Sequence, residues 1–319
     1  MKNKKNILIT GGAGFIGSNL VAHFLNHPDV NIVRVLDDLS NGYIENIEEF
    51  FANPKFEFIE GDIRNYDTCM KACNNIDKIS HQAALGSVPR SIEDPMLSSE
   101  VNIMGTINVL HAAFKNNIER VVLAFSSSTY GDHPDLPKKE EITGNPMSPY
   151  AVTKASCEQF ADVFNKSYNL NYIGLRYFNV FGPKQNPNNP YAAVIPKFID
   201  AALNDDVITI YGDGLTSRDF TYITNIIHAN ECALFTDQVS GLNQVYNVAC
   251  GSQISLNHLV EQIKNKTNKG ISVKYTKERD GDVKHSLADI SKIKHIGYSV
   301  KTEFMDGLSM FIDYLNKSK

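Results

Sequence analysis

The sequence of 319 residues has no tryptophan, few cysteines, no excess of basic residues and no long apolar run. A membrane span needs roughly 18 consecutive apolar residues, and no stretch reaches that length. Lys and Arg number 31 against 36 Asp and Glu, which argues against nucleic-acid binding. With 42% hydrophobic and 21% charged residues, the chain nevertheless has the material for one or two folded domains that handle small molecules.

The five cysteines are odd in number and contain no CxxC pair, so we expect reduced, buried thiols. Cys69 and Cys73 lie one helical turn apart, but two further metal ligands are missing nearby, so no metal site is predicted. The charged start is followed by a run of only four residues, 7–10, before Gly11, and three of them are apolar. Such a short run is typical of a strand and not of a signal peptide, so we expect a cytoplasmic protein.

The first half of the chain alternates apolar runs with amphipathic segments. The runs predict strands at 6–10, 31–36, 56–59, 78–80, 120–125 and 172–176, and the amphipathic segments predict helices at 14–25, 66–73, 95–115 and 150–168. This alternation favours an α/β fold, a Rossmann-type doubly wound parallel sheet with helices on both faces.

The character of the chain changes after about residue 180, where three prolines occur within 183–190. Strands are predicted at 208–211, 244–249 and 271–275, and a helix at 256–266. We therefore expect a first domain at 1–180 and a smaller α/β domain at 181–319. The strand near 245–249 is expected to return to the first sheet, so that about 221–250 joins the first domain.

Glycines follow the first predicted strand at a spacing that suits a dinucleotide. Gly11, Gly14 and Gly17 allow a tight turn and a close approach of the backbone to a pyrophosphate at a helix N-terminus. Asp37 ends the second strand about twenty residues on, where a carboxylate binds ribose hydroxyls and repels a 2′-phosphate. This predicts NAD rather than NADP, and it makes 1–180 an expected NAD-binding domain, with 181–319 left to bind the substrate. Asp62 follows the third strand on the adenine side, with an exposed acidic turn as the alternative.

A second group of candidates combines a tyrosine, a lysine and a serine run. Tyr150 and Lys154 lie four residues apart on one face of a predicted helix. A nearby ammonium group stabilises a phenolate, which turns tyrosine into a usable base. Ser126, Ser127 and Ser128 follow the fifth strand, at the sheet edge where doubly wound folds bind ligands. Together these residues predict proton exchange with a substrate hydroxyl.

The glycine segment, the serine run and the Tyr150-x-x-x-Lys154 pair, in this order, resemble the extended short-chain dehydrogenase/reductase family. More narrowly, the chain is similar to nucleotide-sugar 4-epimerases over about residues 6–315, with further matches at 81–84, 102–106 and 175–182. The resemblance implies bound NAD contacted by Gly11, Gly14, Phe15, Ile16, Gly17, Asp37, Asp62, Ile63, Ala83, Ala84, Asn102, Ser126, Tyr150, Lys154 and Phe178.

The resemblance also implies a UDP-sugar substrate and a homodimer formed through the helices near 95–115 and 150–168. The residues expected at the substrate are Ser87, Ser128, Asn179, Ala193, Val194, Tyr211, Arg218, Arg279, Asp282 and Ser286. Two guanidinium groups can bind a diphosphate, and a carboxylate can accept bonds from ribose hydroxyls. A salt bridge is the alternative for each arginine, and a turn hydroxyl is the alternative for Ser87.

The implied reaction is NAD-dependent 4-epimerisation through a 4-keto sugar, with Tyr150, Lys154, Ser127 and Ser128 as catalytic residues. The resemblance implies that Ser286 lies beside the sugar C2 substituent, at the position where epimerases strict for non-acetylated sugars carry tyrosine. The expected substrates are therefore UDP-N-acetylglucosamine and UDP-N-acetylgalactosamine, with the UDP-glucose/UDP-galactose pair converted more weakly.

Four alternatives remain at this stage. One is a UDP-glucose 4-epimerase strict for non-acetylated sugars, and a second is a reductase or decarboxylase of the same family. A dehydratase would need an Asp-Glu acid/base pair where this chain has Ser127 and Ser128. The fourth is a catalytically silent NAD-sensing module, against which the intact Tyr150 and Lys154 argue.

Overall fold

The computed structural model describes residues 4–186, 193–278 and 284–317. Its strands are β1 (Lys5–Thr10), β2 (Val30–Asp37), β3 (Phe56–Glu60), β4 (Lys78–His81), β5 (Arg120–Ser126), β6 (Tyr172–Tyr177), β7 (Val180–Phe181), β8 (Ile208–Tyr211), β9 (Ser217–Arg218), β10 (Thr221–Tyr222), β11 (Gln244–Val248), β12 (Ile254–Ser255) and β13 (Val273–Thr276). Its α-helices are α1 (Phe15–Leu25), α2 (Tyr66–Cys73), α3 (Val88–Glu93), α4 (Pro95–Ser99), α5 (Gly105–Lys115), α6 (Pro149–Tyr168), α7 (Val194–Leu203), α8 (Ile223–Phe235), α9 (Leu256–Thr267) and α10 (Phe304–Lys317).

Seven parallel strands form the central sheet, in the order β11-β6-β5-β4-β1-β2-β3. The strand order reverses between β1 and β4, which opens a crevice at the carboxyl ends of these strands. The edge strand β11 pairs in parallel with β6, as the sequence predicted for a strand near 245–249. The α/β, Rossmann-type fold is confirmed; the division into domains near residue 180 stays a prediction.

Alternate residues of the strands enter two separate cores. Ile7 and Ile9 of β1 pack in the core that contains residues of α1 and α8, whereas Leu8 packs in the core that contains residues of α2, α5 and α6. Successive side chains of a strand point to opposite faces, so a sheet covered on both faces has nearly continuous apolar strands. For this reason the sequence predicted the first six strands to within one residue at each end.

The later part of the chain builds a smaller layer beside the sheet. Strands β8 and β13 pair in parallel, and α7 packs on both β8 and α9. Helices α3, α7, α8 and α10 were not anticipated from the sequence. In α8 the reason is that buried residues lie on several sides, because the helix packs against α1 and four strands of the central sheet.

The helix predicted at 95–115 is present but not regular. Its α4 and α5 parts are joined by a π-helical turn, Glu100–Met104, which contains the buried Asn102. Such turns insert one extra residue into a helix and reorient the side chains beside it. No helix in the described part of the chain has the length and apolar character to span a membrane. The five cysteines are unpaired, and four of them are buried.

Candidate active site

A cleft of about 970 Å³ follows the carboxyl ends of the central strands. It brings together most of the residues that the sequence singled out. The predicted residues that line it are Gly11, Gly14, Phe15, Ile16, Gly17, Asp37, Asp62, Ile63, Ala83, Ala84, Ser87, Ser126, Ser127, Ser128, Tyr150, Lys154, Phe178, Asn179, Ala193, Arg218 and Ser286.

The glycine turn after β1 leaves no room for side chains. Gly11 has a φ of +69°, and a Cβ there would lie 2.7 Å from the Ala83 nitrogen. A Cβ on Gly17 would lie 2.0 Å from the Gly11 carbonyl oxygen. Gly11, Gly14 and Gly17 also line the cleft, so the backbone at the N-terminus of α1 borders it. This cradle fits the pyrophosphate of a dinucleotide, because unpaired N–H groups at a helix N-terminus attract anions.

Asp37 ends β2 at the rim of the same cradle. Its two carboxylate oxygens accept hydrogen bonds from the backbone N–H groups of Ala13 and Leu39, both at 2.9 Å. These bonds fix the orientation of the carboxylate and leave further lone pairs for ribose hydroxyls. Burial raises the pKa of Asp37 in spite of the two N–H donors.

Asp62 lies farther along the cleft and is paired with Arg64. The Arg64 Nη2 lies 2.6 Å from the Asp62 Oδ2, and the Arg64 backbone N–H donates to Asp62 Oδ1 at 2.7 Å. Burial disfavours the charged form, but the bonds from Arg64 outweigh it and lower the pKa of Asp62. Asp62 is thus a fixed carboxylate, and its neighbour Ile63 supplies an apolar surface in the same cleft.

Helix α6 presents the tyrosine and the lysine to the cleft. Ser148 caps the helix by accepting the Ala151 N–H at 3.2 Å, and Pro149 begins the first turn. The buried Lys154 donates from Nζ to the Ala124 carbonyl oxygen at 2.8 Å. This bond ties the ammonium group to the end of β5, within the cleft that Tyr150 also lines.

The serine run at the end of β5 contains a hydroxyl without a partner. Ser126 Oγ accepts the Ser128 N–H at 3.1 Å, which folds the segment into a tight turn. The Ser128 hydroxyl is buried and has no hydrogen-bond partner among the described residues. A buried, unsatisfied hydroxyl costs about 1–3 kcal/mol, so a polar ligand atom beside it would relieve that cost.

Three predicted residues lie away from the cleft lining. Asn102 is buried and does not line the cleft. It accepts the Leu85 N–H at 2.8 Å and donates to Thr153 Oγ1 at 3.0 Å, which links the cleft residue Leu85 to α6. Val194 begins α7 next to Ala193, and Tyr211 ends β8 with its side chain exposed. Arg279 and Asp282 lie outside the described residues.

Two serines at the cleft, Ser286 and Ser87, are each held by a hydrogen bond to a backbone group. Ser286 donates its N–H to the Ser217 carbonyl at 3.1 Å, and its small side chain borders the cleft. Ser87 also borders the cleft, but its hydroxyl accepts the Arg90 N–H at 3.2 Å and so caps α3. Ser87 is therefore a turn hydroxyl, as the alternative had it, and it also lies at the cleft.

His81, the last residue of β4, is buried next to the cleft residue Gln82. Its Nδ1 is 2.7 Å from Thr10 Oγ1 and its Nε2 is 3.0 Å from Thr106 Oγ1. Burial, and then the nearby Lys154 ammonium, lower the pKa of His81 to about 3. The imidazole is therefore neutral at physiological pH and bridges two hydroxyls.

This neutral histidine predicts acid sensitivity of the fold. The unfolded chain binds a proton at His81 below about pH 6.5, whereas the folded chain does so only near pH 3. The stability from His81 is thus complete above pH 6.5 and is lost as the pH falls toward 3. We expect the free energy of unfolding to fall by up to about 1.4 kcal/mol per pH unit below about pH 6.

Urea unfolding between pH 5 and 8 measures this slope of the unfolding free energy against pH. His81→Asn should reduce it, and an equal slope in both proteins would contradict the assignment.

Comparison with known proteins identifies the family. The NAD dependent epimerase/dehydratase family model matches residues 7–249. The chain belongs to this family. A putative UDP-glucose 4-epimerase of Methanocaldococcus jannaschii is 35% identical over 315 residues, which are 98% of this chain and 99% of that protein.

Solved structures of similar proteins cover almost the whole chain. A UDP-N-acetylglucosamine 4-epimerase from Methanobrevibacter ruminantium, in complex with UDP-N-acetylmuramic acid, is 41% identical with a TM-score of 0.93 over 99% of this chain and 100% of that one. A UDP-glucose 4-epimerase of Thermus thermophilus, in complex with NAD, is 32% identical with a TM-score of 0.89 over 98% of this chain and 100% of that one.

As a member of the epimerase/dehydratase family, the chain uses NAD, in agreement with the glycine cradle and Asp37. Asp37→Ala is expected to weaken NAD binding at least about tenfold, because a bidentate charged hydrogen-bond acceptor is removed. NADP binding should change less, because its 2′-phosphate no longer meets a carboxylate. Titration of cofactor-free protein with each dinucleotide checks this. An unchanged ratio of the two dissociation constants would contradict the role of Asp37.

Several residues that line the cleft were not predicted from the sequence. They include residues of the loop 38–42 after Asp37, Arg90 on α3, Gln185 and His285. The sequence did carry a signal for the loop, because Asn41-Gly42 is a typical turn pair that begins four residues after Asp37. His285 had no local signal apart from its place next to Ser286.

Proposed function

We propose that this protein is an NAD-dependent 4-epimerase that interconverts UDP-N-acetylglucosamine and UDP-N-acetylgalactosamine, and that converts UDP-glucose and UDP-galactose more slowly. The observation that carries the proposal is one shared cleft, which joins the glycine cradle, Tyr150, Lys154, Ser128 and the small Ser286. Relatives whose names specify UDP-sugar 4-epimerases support the reaction.

Tyr150 is the proposed acid and base. Its phenolate takes the proton of the sugar 4-hydroxyl, and the phenol later returns a proton to the 4-keto oxygen. The Lys154 ammonium, held at the Ala124 carbonyl, stabilises the phenolate. Ser127 and Ser128 hold the reacting oxygen by hydrogen bonds, and the unpartnered Ser128 hydroxyl is the stronger candidate for this contact.

NAD bound in the cradle supplies the hydride acceptor and donor for C4. The residues proposed to hold it are those of the glycine turn, Asp37, and the wall formed by Ala83 and Ala84. Inversion requires the 4-keto sugar to rotate about its pyrophosphate linkage, so the wall opposite the serines has to leave room for either face. Ser286 and Asn179 border that space.

The nucleotide half of the substrate is proposed to lie against the later part of the chain. Arg218 borders the cleft, and its guanidinium donates to the carbonyls of Ser217 and Lys284 at 3.0 and 3.2 Å. These bonds set the direction of a group that can also bind a phosphate. Ala193, Val194 and Tyr211 are proposed at the uridine, with Arg279 and Asp282 completing the site.

The test is incubation with UDP-N-acetylglucosamine and UDP-glucose side by side, with the 4-epimers resolved by chromatography. We expect faster conversion of the acetylated sugar. A strict UDP-glucose 4-epimerase is the second candidate, supported by relatives of that name, and conversion of UDP-glucose alone would establish it. A 4-keto-6-deoxy product would instead indicate a dehydratase.

We further propose that the protein forms a homodimer through α4–α6. Met96, Met104, Val152 and Val163 lie on or between these helices and are 49 to 71% exposed. Such a set of apolar side chains on adjacent helices is typical of a protein–protein interface. Light scattering should give a mass near twice that of the chain, and Val163→Glu should shift it to the monomer. A monomeric parent protein would contradict this proposal.

A further inference from the structure

A buried carboxylate outside the proposed chemistry lies behind the substrate side of the cleft. Asp219, between β9 and β10, has no exposed surface. Its Oδ1 accepts the Cys250 N–H at 3.1 Å, and its Oδ2 accepts the N–H groups of Gly251 and Ala288 at 3.1 and 3.2 Å. All of these donors are backbone groups, from segments 31 to 69 residues away in the chain.

These bonds fasten the cleft wall to the central sheet. Cys250 and Gly251 follow the edge strand β11, whereas Ala288 lies two residues after Ser286. The carbonyl oxygen of Asp219 also accepts a bond from Asn179 Nδ2 at 3.1 Å. Asp219 thus joins the sheet edge, the Asn179 segment and the Ser286 segment at one point.

We propose that Asp219 is a positioning residue for the sugar nucleotide: its carboxylate holds the wall that carries Asn179, Arg218 and Ser286 in the conformation that binds UDP. The identity of the ligand rests on the proposed function. A buried carboxylate is unfavourable unless hydrogen bonds compensate it. Here the compensation comes from backbone N–H groups of two segments, near residues 250 and 288, so loss of the charge releases at least one of them.

The ionisation of Asp219 falls in an accessible pH range. Burial raises the pKa of Asp219 to about 7, against the lowering effect of the N–H donors. The ionisable neighbours are Cys250 and Tyr298. Burial raises the pKa values of both, and the negative charge of Glu303 raises them further, so both groups are neutral here. Arg218 precedes Asp219, and His285 hydrogen-bonds Ser217. A protonated carboxyl has one good acceptor oxygen instead of two, which loosens the wall.

The experiment compares Asp219→Asn with Asp289→Asn in the NAD-loaded protein. Asp289 is a matched control, because its carboxylate accepts the N–H of the nearby Ser291 at 2.9 Å, within the same wall segment. Calorimetry with UDP should show at least about tenfold weaker binding for Asp219→Asn, the effect of losing about 1.4 kcal/mol or more. NAD content should stay unchanged, amide exchange of segment 284–289 should accelerate, and Asp289→Asn should behave as the parent.

The pH dependence of UDP binding gives a second test, which does not require Asp219→Asn to fold. UDP binding should weaken as the pH falls from 8 to 6 by more than the protonation of UDP itself accounts for, and the transition should persist in His285→Gln. Where Asp219→Asn folds, it should lack this transition beyond the protonation of UDP itself. Parent-like UDP binding by Asp219→Asn, or a joint loss of NAD, UDP and melting temperature, would overturn the proposal. UDP binding without epimerisation would instead count against the proposed function alone.

Discussion

Replacing Tyr150 with phenylalanine is expected to lower kcat by about 100- to 10,000-fold, the usual contribution of a positioned acid/base. The substitution removes one oxygen and leaves the ring, so its packing at the start of α6 is kept. The Tyr150 backbone N–H bond to Ser91 Oγ at 3.0 Å does not involve the side chain and should persist. NAD content and UDP affinity should therefore equal those of the parent protein.

Tyr168→Phe is the matched control for this experiment. Tyr168 lies at the other end of α6 with 44% of its surface exposed, and its loss of a hydroxyl should leave kcat unchanged. Lys154→Ala should also lower kcat, because the phenolate loses the ammonium group that stabilises it. Turnover near the parent rate in Tyr150→Phe would show that another group moves the proton.

The parts of the structure that the sequence predicted are those set by local pattern. Apolar strands, the glycine turn after β1 and the serine run after β5 each depend on neighbouring residues in the chain. Once the parallel sheet is established, the carboxyl ends of its strands share one edge. The common location of Asp37, Ser128 and Tyr150 follows from that topology, and the cleft confirms that they lie together.

The parts that were missed depend on contacts between distant segments. The importance of Asp219 arises from backbone donors near residues 250 and 288, which no local pattern connects to it. The π-helical turn at Asn102 cannot be predicted from apolar residues that repeat every 3.6 positions, because it adds one residue to that repeat. The family resemblance alone predicts Tyr211 at the substrate. Tyr211 is exposed at the end of β8, so its contact with the substrate stays a prediction.

Ser286→Tyr is expected to separate the two substrate pairs. The Ser286 backbone is fixed by its bond to the Ser217 carbonyl, and the segment behind it is fixed by Ala288 at Asp219. Ser286 is only 8% exposed and borders the cleft, so among the described residues the cleft is where a larger side chain is expected to extend. The tyrosine ring should then occupy the space that the N-acetyl group of the sugar requires.

Forcing atoms into occupied space costs about 1–3 kcal/mol or more, so conversion of UDP-N-acetylglucosamine by Ser286→Tyr should fall by about 100-fold or more. UDP-glucose presents only a hydroxyl at C2, and its conversion should remain within about threefold of the parent, since nothing else at the reacting carbon changes. Ser286→Ala keeps the space open and should retain both activities, which separates the effect of volume from that of the hydroxyl. Unchanged conversion of the acetylated sugars by Ser286→Tyr would mean that the acetamide lies against another wall, and Ser87 at the start of α3 would then be the next residue to enlarge.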